Sequence, residues 1–507
     1  MSKRQGIWLL SMWVCAMSGA CAQDNQENSI PPAQTFSHAT QQQPVAAYGQ
    51  ESTPPLANEN TPLTGLDLPS LEPNATPLSY LQAGATFNQS ADSNGGSALG
   101  GGQFSSITRA LGSLAIHRVR GRYDLALDYI GGVAYYSLQG VGAQVLQQMD
   151  LDQKIAWKRG GLSLRDSFSY LPEGDFGATY GASGSENIPS LGGSPFGAFF
   201  GGSVLGTFGF VPRIVNVSLA DVSEALTAKS TVTADAGYAF THFYGSDVST
   251  ATPFVGTSEF IGTSQISAET AYNRTLTPHT QVALLYGYQG FDFSVTGLAF
   301  HSHVLEAMYG RRISGRMDLL IAAGPQFTRI NVACTAFDVL SGNTHCSLTP
   351  SGSVSGSIPD HRLGAAGQFR LRYRFPKTSL DLSYQRFETG GSGLFAGAQS
   401  DIGELSAERR LSRVYSGFAD LGYSRNRRLQ TSNAVQGINA NTYSYAFAGV
   451  GVRRPFGHSL NVFGSYQFNR LFFDRSICGE LPECNRMSNQ NVITFGLDWI
   501  FRPIRLD

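Results

Sequence analysis

The ten residues GQFRLRYRFP, at positions 367–376, alternate apolar side chains with arginines. The apolar residues at every second position are Phe369, Leu371, Tyr373 and Phe375. The cations between them are Arg370, Arg372 and Arg374. Successive side chains of a β-strand point to opposite faces of its sheet, so this segment predicts a strand with one aromatic face and one basic face. A soluble sheet and a membrane barrel both accommodate such a strand, and the rest of the chain has to decide between them.

The same two-residue period recurs from about residue 78 to the end of the chain. It is seen in YDLALDY (123–129), MDLDQKIAW (149–157), ELSAERRL (404–411) and NVITFGLDWIFRP (491–503). Clusters of Gly, Pro, Ser and Asn separate these segments, as expected of turns between strands. The pattern predicts about eighteen strands, with sixteen to eighteen consistent with it, because strand boundaries read from one sequence are loose.

The polar faces of the predicted strands carry charges of both signs. If the apolar faces meet lipid, these ionisable side chains point inward, because an arginine at mid-depth on a lipid-facing surface costs about 2 to 4 kcal/mol. The interior candidates on this basis are Arg370, Arg372, Arg374, Asp124, Asp128, Asp150, Asp152, Lys154, Glu404, Glu408, Arg410 and Asp498. They are hypothesised to set a field across an aqueous lumen, and the simpler interpretation is that a wet lumen tolerates charge.

The first 22 residues have the pattern of a secretory signal peptide. Lys3 and Arg4 form its positive end, IWLLSMWVCAM its apolar core and ACA at 20–22 its cleavage site. Cys21 is alternatively a lipidated cysteine, although Ser18 stands where such signals usually carry Leu. The chain is therefore predicted to be exported. Beyond the signal no run of about 18 apolar residues follows, which excludes a helical membrane span.

Residues 23–77 form a separate region, rich in Gln, Asn, Pro, Ser and Thr and without an apolar period. This composition predicts a disordered tether ahead of the strand-rich region, residues 78–507. The formal net charge is −1 at pH 7, which gives no bulk attraction to nucleic acid. Only 14% of all residues are charged, below the quarter or so that is usual in soluble proteins.

The predicted links between strands alternate in length. Short links such as RGR (119–121) and SGR (314–316) alternate with longer ones, including 172–213 and 332–360. Tight turns at one end and long loops at the other are typical of bacterial outer-membrane barrels. The chain thus resembles Gram-negative outer-membrane β-barrels, porin-like proteins among them, over about residues 78–503. The segment 491–503 is similar to their aromatic-rich closing strand.

The resemblance implies an all-β, antiparallel, up-and-down transmembrane barrel in the outer membrane of a Gram-negative bacterium. It further implies contact with membrane lipid, insertion by the barrel-assembly machinery and, at this strand number, passive passage of small hydrophilic solutes. We keep two alternatives: an export barrel, for a polysaccharide for instance, with a periplasmic partner bound through 23–77, and an adhesive barrel without an open pore. Homo-oligomers are compatible with each. A secreted β-sandwich or β-solenoid is the main alternative fold.

Loss of the signal leaves four cysteines, and two local disulfides are the economical interpretation in an oxidising compartment. The disulfide candidates are Cys334, Cys346, Cys478 and Cys484. No His lies at ligand spacing from them, and the sequence has no G-x-S-x-G, H-E-x-x-H or Walker pattern. We therefore expect no metal, no cofactor and no enzymatic activity. The loop 174–210, dense in Phe, Gly and Ser, either folds into the mouth of the barrel or packs on its own aromatics.

Overall fold

A computed structural model gives the fold of the strand-rich region. It describes residues 79–95, 103–137, 142–173, 210–244, 262–293, 298–334, 339–341, 344–348, 354–390, 395–412, 414–429, 441–457, 459–475 and 486–506. The predicted signal peptide, the predicted tether, Cys478, Cys484 and nearly all of the loop 174–210 lie outside these residues. Within them, no helix combines the length and the apolar character that a membrane crossing requires.

Twenty strands are present in the described residues. The first ten are β1 (Tyr80–Gly95), β2 (Gln103–Arg120), β3 (Tyr123–Tyr136), β4 (Gly142–Trp157), β5 (Gly160–Glu173), β6 (Phe210–Thr227), β7 (Ser230–Phe243), β8 (Thr263–Thr277), β9 (Thr280–Phe293) and β10 (Ala299–Ser314). The others are β11 (Met317–Ala333), β12 (Cys346–Leu348), β13 (Val354–Arg374), β14 (Thr378–Thr389), β15 (Ala398–Arg410), β16 (Ser416–Arg428), β17 (Thr442–Phe456), β18 (Leu460–Phe473), β19 (Met487–Ile500) and β20 (Ile504–Arg505).

Eighteen of these strands form one closed antiparallel barrel, as the alternation predicts. Strands β1 to β11 pair in sequence, β11 pairs with β13, β13 to β19 continue in sequence, and β19 pairs with β1. The short strand β12 pairs only with the start of β13, and β20 extends the edge of β1. Closure leaves no free sheet edge along the paired lengths, which is the condition for strands to cross a bilayer.

The links between strands confirm the predicted asymmetry. Tight turns at 121–122, 158–159, 228–229, 278–279 and 315–316 join strands at one end of the barrel, which we call the turn end. Longer links, such as 244–262 and 429–441, join them at the other end, the loop end. A two-residue link allows little slippage between the strands that it joins, so these tight turns fix the register of each hairpin.

The outer surface of the barrel is apolar, and the inner surface carries polar side chains together with apolar clusters. Large apolar side chains that point outward and are exposed include Phe87, Leu305, Phe327, Phe495 and Trp499. Buried polar side chains on the inner face include Asn88, Gln326, Ser400, Asn426 and Thr494. This arrangement inverts that of a soluble protein, and an exposed apolar belt of this extent requires lipid around it. The wall is therefore a membrane-spanning barrel.

Polar side chains join the first and last barrel strands across the closing seam. Ser90 of β1 and Thr494 of β19 share a hydrogen bond of 2.9 Å between their hydroxyls. Nearby, Gln490 Nε2 donates to Asp92 Oδ2 at 2.7 Å, and Gln490 Oε1 accepts from Asn469 Nδ2 at 3.0 Å. Because these groups are buried, each satisfied partner avoids a desolvation cost of about 1 to 3 kcal/mol.

The predicted Cys334–Cys346 disulfide is present at the loop end of the barrel. It ties the end of β11 to β12 across a sequence separation of 12. We expect the double substitution Cys334→Ser and Cys346→Ser to lower the free energy of unfolding by at most about 3 kcal/mol, because the bridge closes only a short loop of the unfolded chain. Urea unfolding of both proteins in lipid vesicles measures this. A larger loss would mean that the bridge also supports the barrel wall.

Candidate functional site: the barrel interior

The loop end of β14 separates from the neighbouring wall. The pairing of β13 with β14 runs from Arg374 and Ser379 to Gly367 and Arg386, and it stops there. Strand β13 continues to Val354, paired on its other side with β11 and β12. Strand β14 continues to Thr389 and stays paired with β15. The two strands thus part at about two thirds of the length of β14.

Beyond this point the β14–β15 hairpin turns into the barrel. We call its described end, residues 387–390 and 395–398, the inward tip. One side of the tip reaches the β8–β11 wall, where the Thr328 hydroxyl lies 2.7 Å from both carboxylate oxygens of Glu388. A Cβ built on Gly390 would lie 3.3 Å from Cγ2 of Thr263 on β8 and 3.6 Å from the Phe291 ring on β9.

The other side of the inward tip lies on β16 and β17. The Phe395 and Tyr443 rings have centroids 5.1 Å apart, and the Arg428 guanidinium carbon lies 5.6 Å from the Phe395 centroid. The Leu429 amide donates to the Gly397 carbonyl at 3.2 Å. Gly397 has φ +86°, a conformation that favours glycine, and a Cβ there would lie 2.8 Å from the Phe300 ring. The tip therefore bridges opposite parts of the wall.

Apolar side chains fill the space beneath and around the inward tip. One cluster holds Phe291, Phe293, Leu298, Phe300 and Ile330 of the wall together with Ala396 and Leu429. A second cluster, nearer the turn end, packs Phe387 against Leu285, Met308 and Leu320 of β9 to β11. The lumen beside β8–β11 is thus closed by packing, which reduces the cross-section below that of an empty eighteen-stranded barrel.

Several inward side chains of β3 to β7 are partly exposed, and we call this part of the inner face the open side. The side chains of Asp124 and Lys154 on these strands are 30% and 29% exposed. By contrast, Arg372 and Asp318 on the packed side are 5% and 10% exposed. Water inside the barrel therefore reaches the β3–β7 wall.

All twelve residues predicted to line the interior lie at inward-facing positions, and their role in passage stays a prediction. Those of β3 and β4 lie close together on the open side. Asp124 lies 2.6 Å from His117 Nε2, and Asp152 lies 2.9 Å from Lys154 Nζ. Asp150 accepts hydrogen bonds from Ser167 at 2.5 Å and Gln148 at 3.1 Å. Asp128 stands directly opposite Asp150 in the register.

The predicted basic row does not stand free in the lumen. Arg370 pairs with Asp381 of β14 at 2.6 Å, and Arg372 Nε lies 4.0 Å from Asp318 of β11. Asp318 also pairs with Arg312 at 3.2 Å. These acids neutralise much of the basic charge on β13. The remaining predicted residues are Arg374, Glu404, Glu408 and Arg410, inward on β13 and β15, and the fully buried Asp498 on β19.

A second row of acids escaped the sequence analysis. Asp221 of β6 stands opposite Asp235 of β7, and Asp235 stands opposite Glu269 of β8, all on the inner face. Within this row Asp221 receives hydrogen bonds from Arg165, one of them 2.8 Å long from Nε. The signal was available in principle, because a hairpin turning at 228–229 fixes which residues of β6 and β7 face each other.

The charge inside the barrel is therefore unevenly distributed. On β3 to β8 the inward carboxylates outnumber the inward basic side chains, which are Lys154, Arg165 and Arg213. Those carboxylates are Asp124, Asp128, Asp150, Asp152, Asp221, Asp235 and Glu269. On β10 to β14 two of the inward acids, Asp318 and Asp381, are paired with arginines. The inner face of β3 to β8 thus carries more carboxyl groups than basic side chains.

The wall resembles solved outer-membrane proteins in fold. The ferric-catecholate import receptor Fiu of E. coli K12 in its closed form matches with a TM-score of 0.40 and 8% identity, covering 83% of this chain and 82% of the receptor. Pseudomonas aeruginosa OccK2 matches with a TM-score of 0.39 and 10% identity, covering 83% of this chain and 98% of OccK2. OprD of the same organism matches with a TM-score of 0.38 and 10% identity, covering 84% of this chain and 95% of OprD.

No protein-family model matches the chain, and no curated protein matches it in sequence. The assignment to a membrane therefore depends on the wall itself, which is closed, antiparallel, apolar outside and polar inside, with tight turns at one end. Helices or closed barrels are the structures that span a bilayer, and antiparallel barrels with this loop asymmetry are those of the Gram-negative outer membrane. The chain is a Gram-negative outer-membrane β-barrel.

Proposed function

We propose that the barrel is a passive channel for small hydrophilic solutes and that it favours cations. The observation that carries the proposal is the partly exposed, acid-rich β3–β7 side of the interior, next to the side where the inward tip packs. Ionisable side chains keep contact with water only where the lumen admits it, since burying an isolated charge is costly. Rings and rows of carboxylates in a narrow pore raise the local concentration of cations.

Planar-bilayer recordings of the purified protein test the proposal. Under a KCl gradient we expect discrete conductance steps and a reversal potential that shows K⁺ to be several-fold more permeant than Cl⁻, because the inner face of β3 to β8 carries more carboxyl groups than basic side chains. The double substitution Asp128→Asn and Asp150→Asn is expected to lower this preference. Asp401→Asn is the matched control, since Asp401 points outward and pairs with Arg386 at the loop end. Anion preference in the native protein would contradict the proposal.

Two further measurements test the alternative functions, an adhesive or structural barrel and an export barrel. A protein that inserts but shows no conductance steps would support an adhesive or structural barrel, for which the inward tip would be a permanent closure. Deletion of residues 23–77 addresses export. A passive channel is expected to insert and conduct unchanged after this deletion, whereas an export barrel that depends on a periplasmic partner would lose its function while still inserting.

A further inference from the structure

We propose that three outward side chains at the loop end, His301 of β10, Arg329 of β11 and His361 of β13, bind the phosphate headgroup of a lipid in the outer leaflet. We call these three residues the basic row. They stand directly opposite one another in the register, His301 against Arg329 and Arg329 against His361. Neighbouring strands lie about 4.8 Å apart, so the long Arg329 side chain and the two imidazoles beside it are within reach of one phosphate group.

The basic row lies where the lipid-facing surface changes from apolar to polar. On β11 and β13 the next outward residue toward the turn end is apolar, Phe327 at 53% exposed and Leu363 at 73%. These two residues are register partners and form one apolar surface. The long loops of outer-membrane barrels are extracellular, so the row faces the outer leaflet. It therefore lies at the level of the lipid headgroups, next to a surface on which an acyl chain can pack.

No acid neutralises the basic row within the part of the chain that the structure describes. Arg329 Nε donates to Asn331 Oδ1 at 3.3 Å, and no carboxylate pairs with Arg329, His301 or His361. The described outward positions of β9 to β13 hold one carboxylate, Asp292, which stands opposite Ala299, two residues beyond His301. A guanidinium binds phosphate through two parallel charge-assisted hydrogen bonds. The charge of the row is therefore complementary to an anionic headgroup.

Tyr288 of β9 sets the direction in which His301 donates. Its hydroxyl lies 2.9 Å from His301 Nδ1, and the two rings stack with centroids 6.1 Å apart and 12° between their planes. When the hydroxyl donates to Nδ1, the imidazole proton is on Nε2, at the far side of the ring. Nε2 has no partner among the described residues, so it can donate to a phosphate oxygen even from a neutral imidazole.

A second observation at the same place is the open edge of β13. The Phe375 N–H donates to the Thr378 carbonyl, so it points toward β14. The direction of the N–H groups alternates along a strand, and the β11–β13 register is unbroken. The N–H groups of the other odd-numbered residues of β13 therefore also point toward β14. The pairing with β14 ends at Gly367, so beyond it these groups lie on an edge without a paired strand among the described residues.

The basic row ends at this edge. The N–H groups of His361 and Leu363 are two of the donors on it, and they lie beside the outward side chains of the same residues. Pro359, which has no N–H, takes the next odd position, as expected for an edge strand. Backbone donors in a membrane need acceptors, because lipid tails offer none. Phosphate and carbonyl oxygens of a headgroup are acceptors at this level of the membrane.

These features together select a lipid rather than a free anion. The basic row and the edge N–H groups fit the oxygens of a headgroup, and Phe327 with Leu363 fits the acyl chain below it. A phosphate ion would use the row alone and would leave the apolar surface unoccupied. The ligand is therefore a phosphate-bearing lipid of the outer leaflet, bound where β13 parts from β14.

Native mass spectrometry of the full chain, released from detergent micelles after incubation with diphosphoryl lipid A, tests the proposal. We expect the native protein to retain the lipid and the double substitution Arg329→Gln and His361→Gln to lower the retained fraction about tenfold, because charge-assisted contacts with phosphate are lost. Arg470→Gln is the matched control. Arg470 also points outward at the loop end, on β18, but its register partners Ala446 and Asn489 are uncharged. An equal loss in the control would overturn the proposal, since it would show general attraction of the lipid to basic side chains.

Measurements on the native protein keep the test valid if the double variant fails to fold. Lipid A without its phosphates is expected to be retained several-fold less than the diphosphoryl form, and inorganic phosphate at the same concentration is expected not to displace the lipid. Bound diphosphoryl lipid A is expected to slow deuterium exchange of the backbone amides of 361–366 and to leave those of β18 unchanged. Equal retention of the two lipids, displacement by inorganic phosphate, or unchanged exchange in 361–366 would each overturn the inference.

Discussion

Replacement of residues 388–397 by a short glycine linker is expected to raise the single-channel conductance several-fold. The inward tip contacts β9 to β11 on one side and β16 and β17 on the other, so it lies across the lumen at the loop end. Its removal also frees the surface against which Phe291 and Phe300 pack. Because conductance rises with the open cross-section, the variant should conduct more while keeping the cation preference of the acid-rich wall.

Two further variants make this experiment decisive. Gly397→Ala leaves the tip length unchanged but places a Cβ against the Phe300 ring in a backbone conformation that L-residues disfavour. It is expected to unseat the tip and to increase current fluctuations. Cys334→Ser with Cys346→Ser alters another link at the loop end and should leave conductance unchanged. Equal conductance of the native protein and the tip-replaced variant would show that the constriction lies elsewhere.

The second large effect concerns the lipid-facing surface. Leu305 lies near the middle of β10 and points outward, 43% exposed. We expect Leu305→Arg to lower the unfolding free energy by about 2 to 4 kcal/mol, because the guanidinium would be held at mid-depth in the hydrocarbon. Urea titration of the barrel in lipid vesicles, followed by tryptophan fluorescence, measures the difference from the native protein.

A matched control separates membrane depth from loss of packing. Leu276 also points outward and is exposed, but it lies at the turn end of β8, one residue before the strand ends. Leu276→Arg is expected to cost about 1 kcal/mol or less, since the penalty falls near the interface. Equal losses at the two positions would contradict the placement of the β10 midpoint inside the bilayer.

The fold could be predicted from sequence because its signal is repeated in every strand. The alternation in 367–376 identifies one strand with two unlike faces, and the same period over the remaining segments identifies the closed wall. The structure confirms the strand number and the alternating link lengths, whereas the lining of a pore by the arginines on β13 stays a prediction. Each of these properties depends on local periodicity, which a single sequence contains.

The interior could be predicted only in part, because it depends on contacts between distant segments. The inward tip has the sequence FETGGSGLFAGA, 387–398, whose glycines are equally consistent with an ordinary surface loop. Only its contacts with Thr328 and Tyr443 show that it enters the barrel. By contrast, the pairing of Arg370 with Asp381 could have been predicted in principle, because the short link between β13 and β14 fixes their register.

The parting of β13 from β14 has a consequence for how the wall deforms. Along 357–366 the backbone of β13 is bonded to β11 on one side, whereas the strand below this point is bonded on both. A strand that is hydrogen-bonded along one edge bends more easily than a strand that is hydrogen-bonded along both. The β14–β15 hairpin that leaves β13 is also the one whose inward tip crosses the lumen. The most deformable part of the barrel wall and the constriction of the lumen are therefore formed by the same hairpin. Outward bending of the wall at this point would widen the passage while the pairing of the remaining strands is kept.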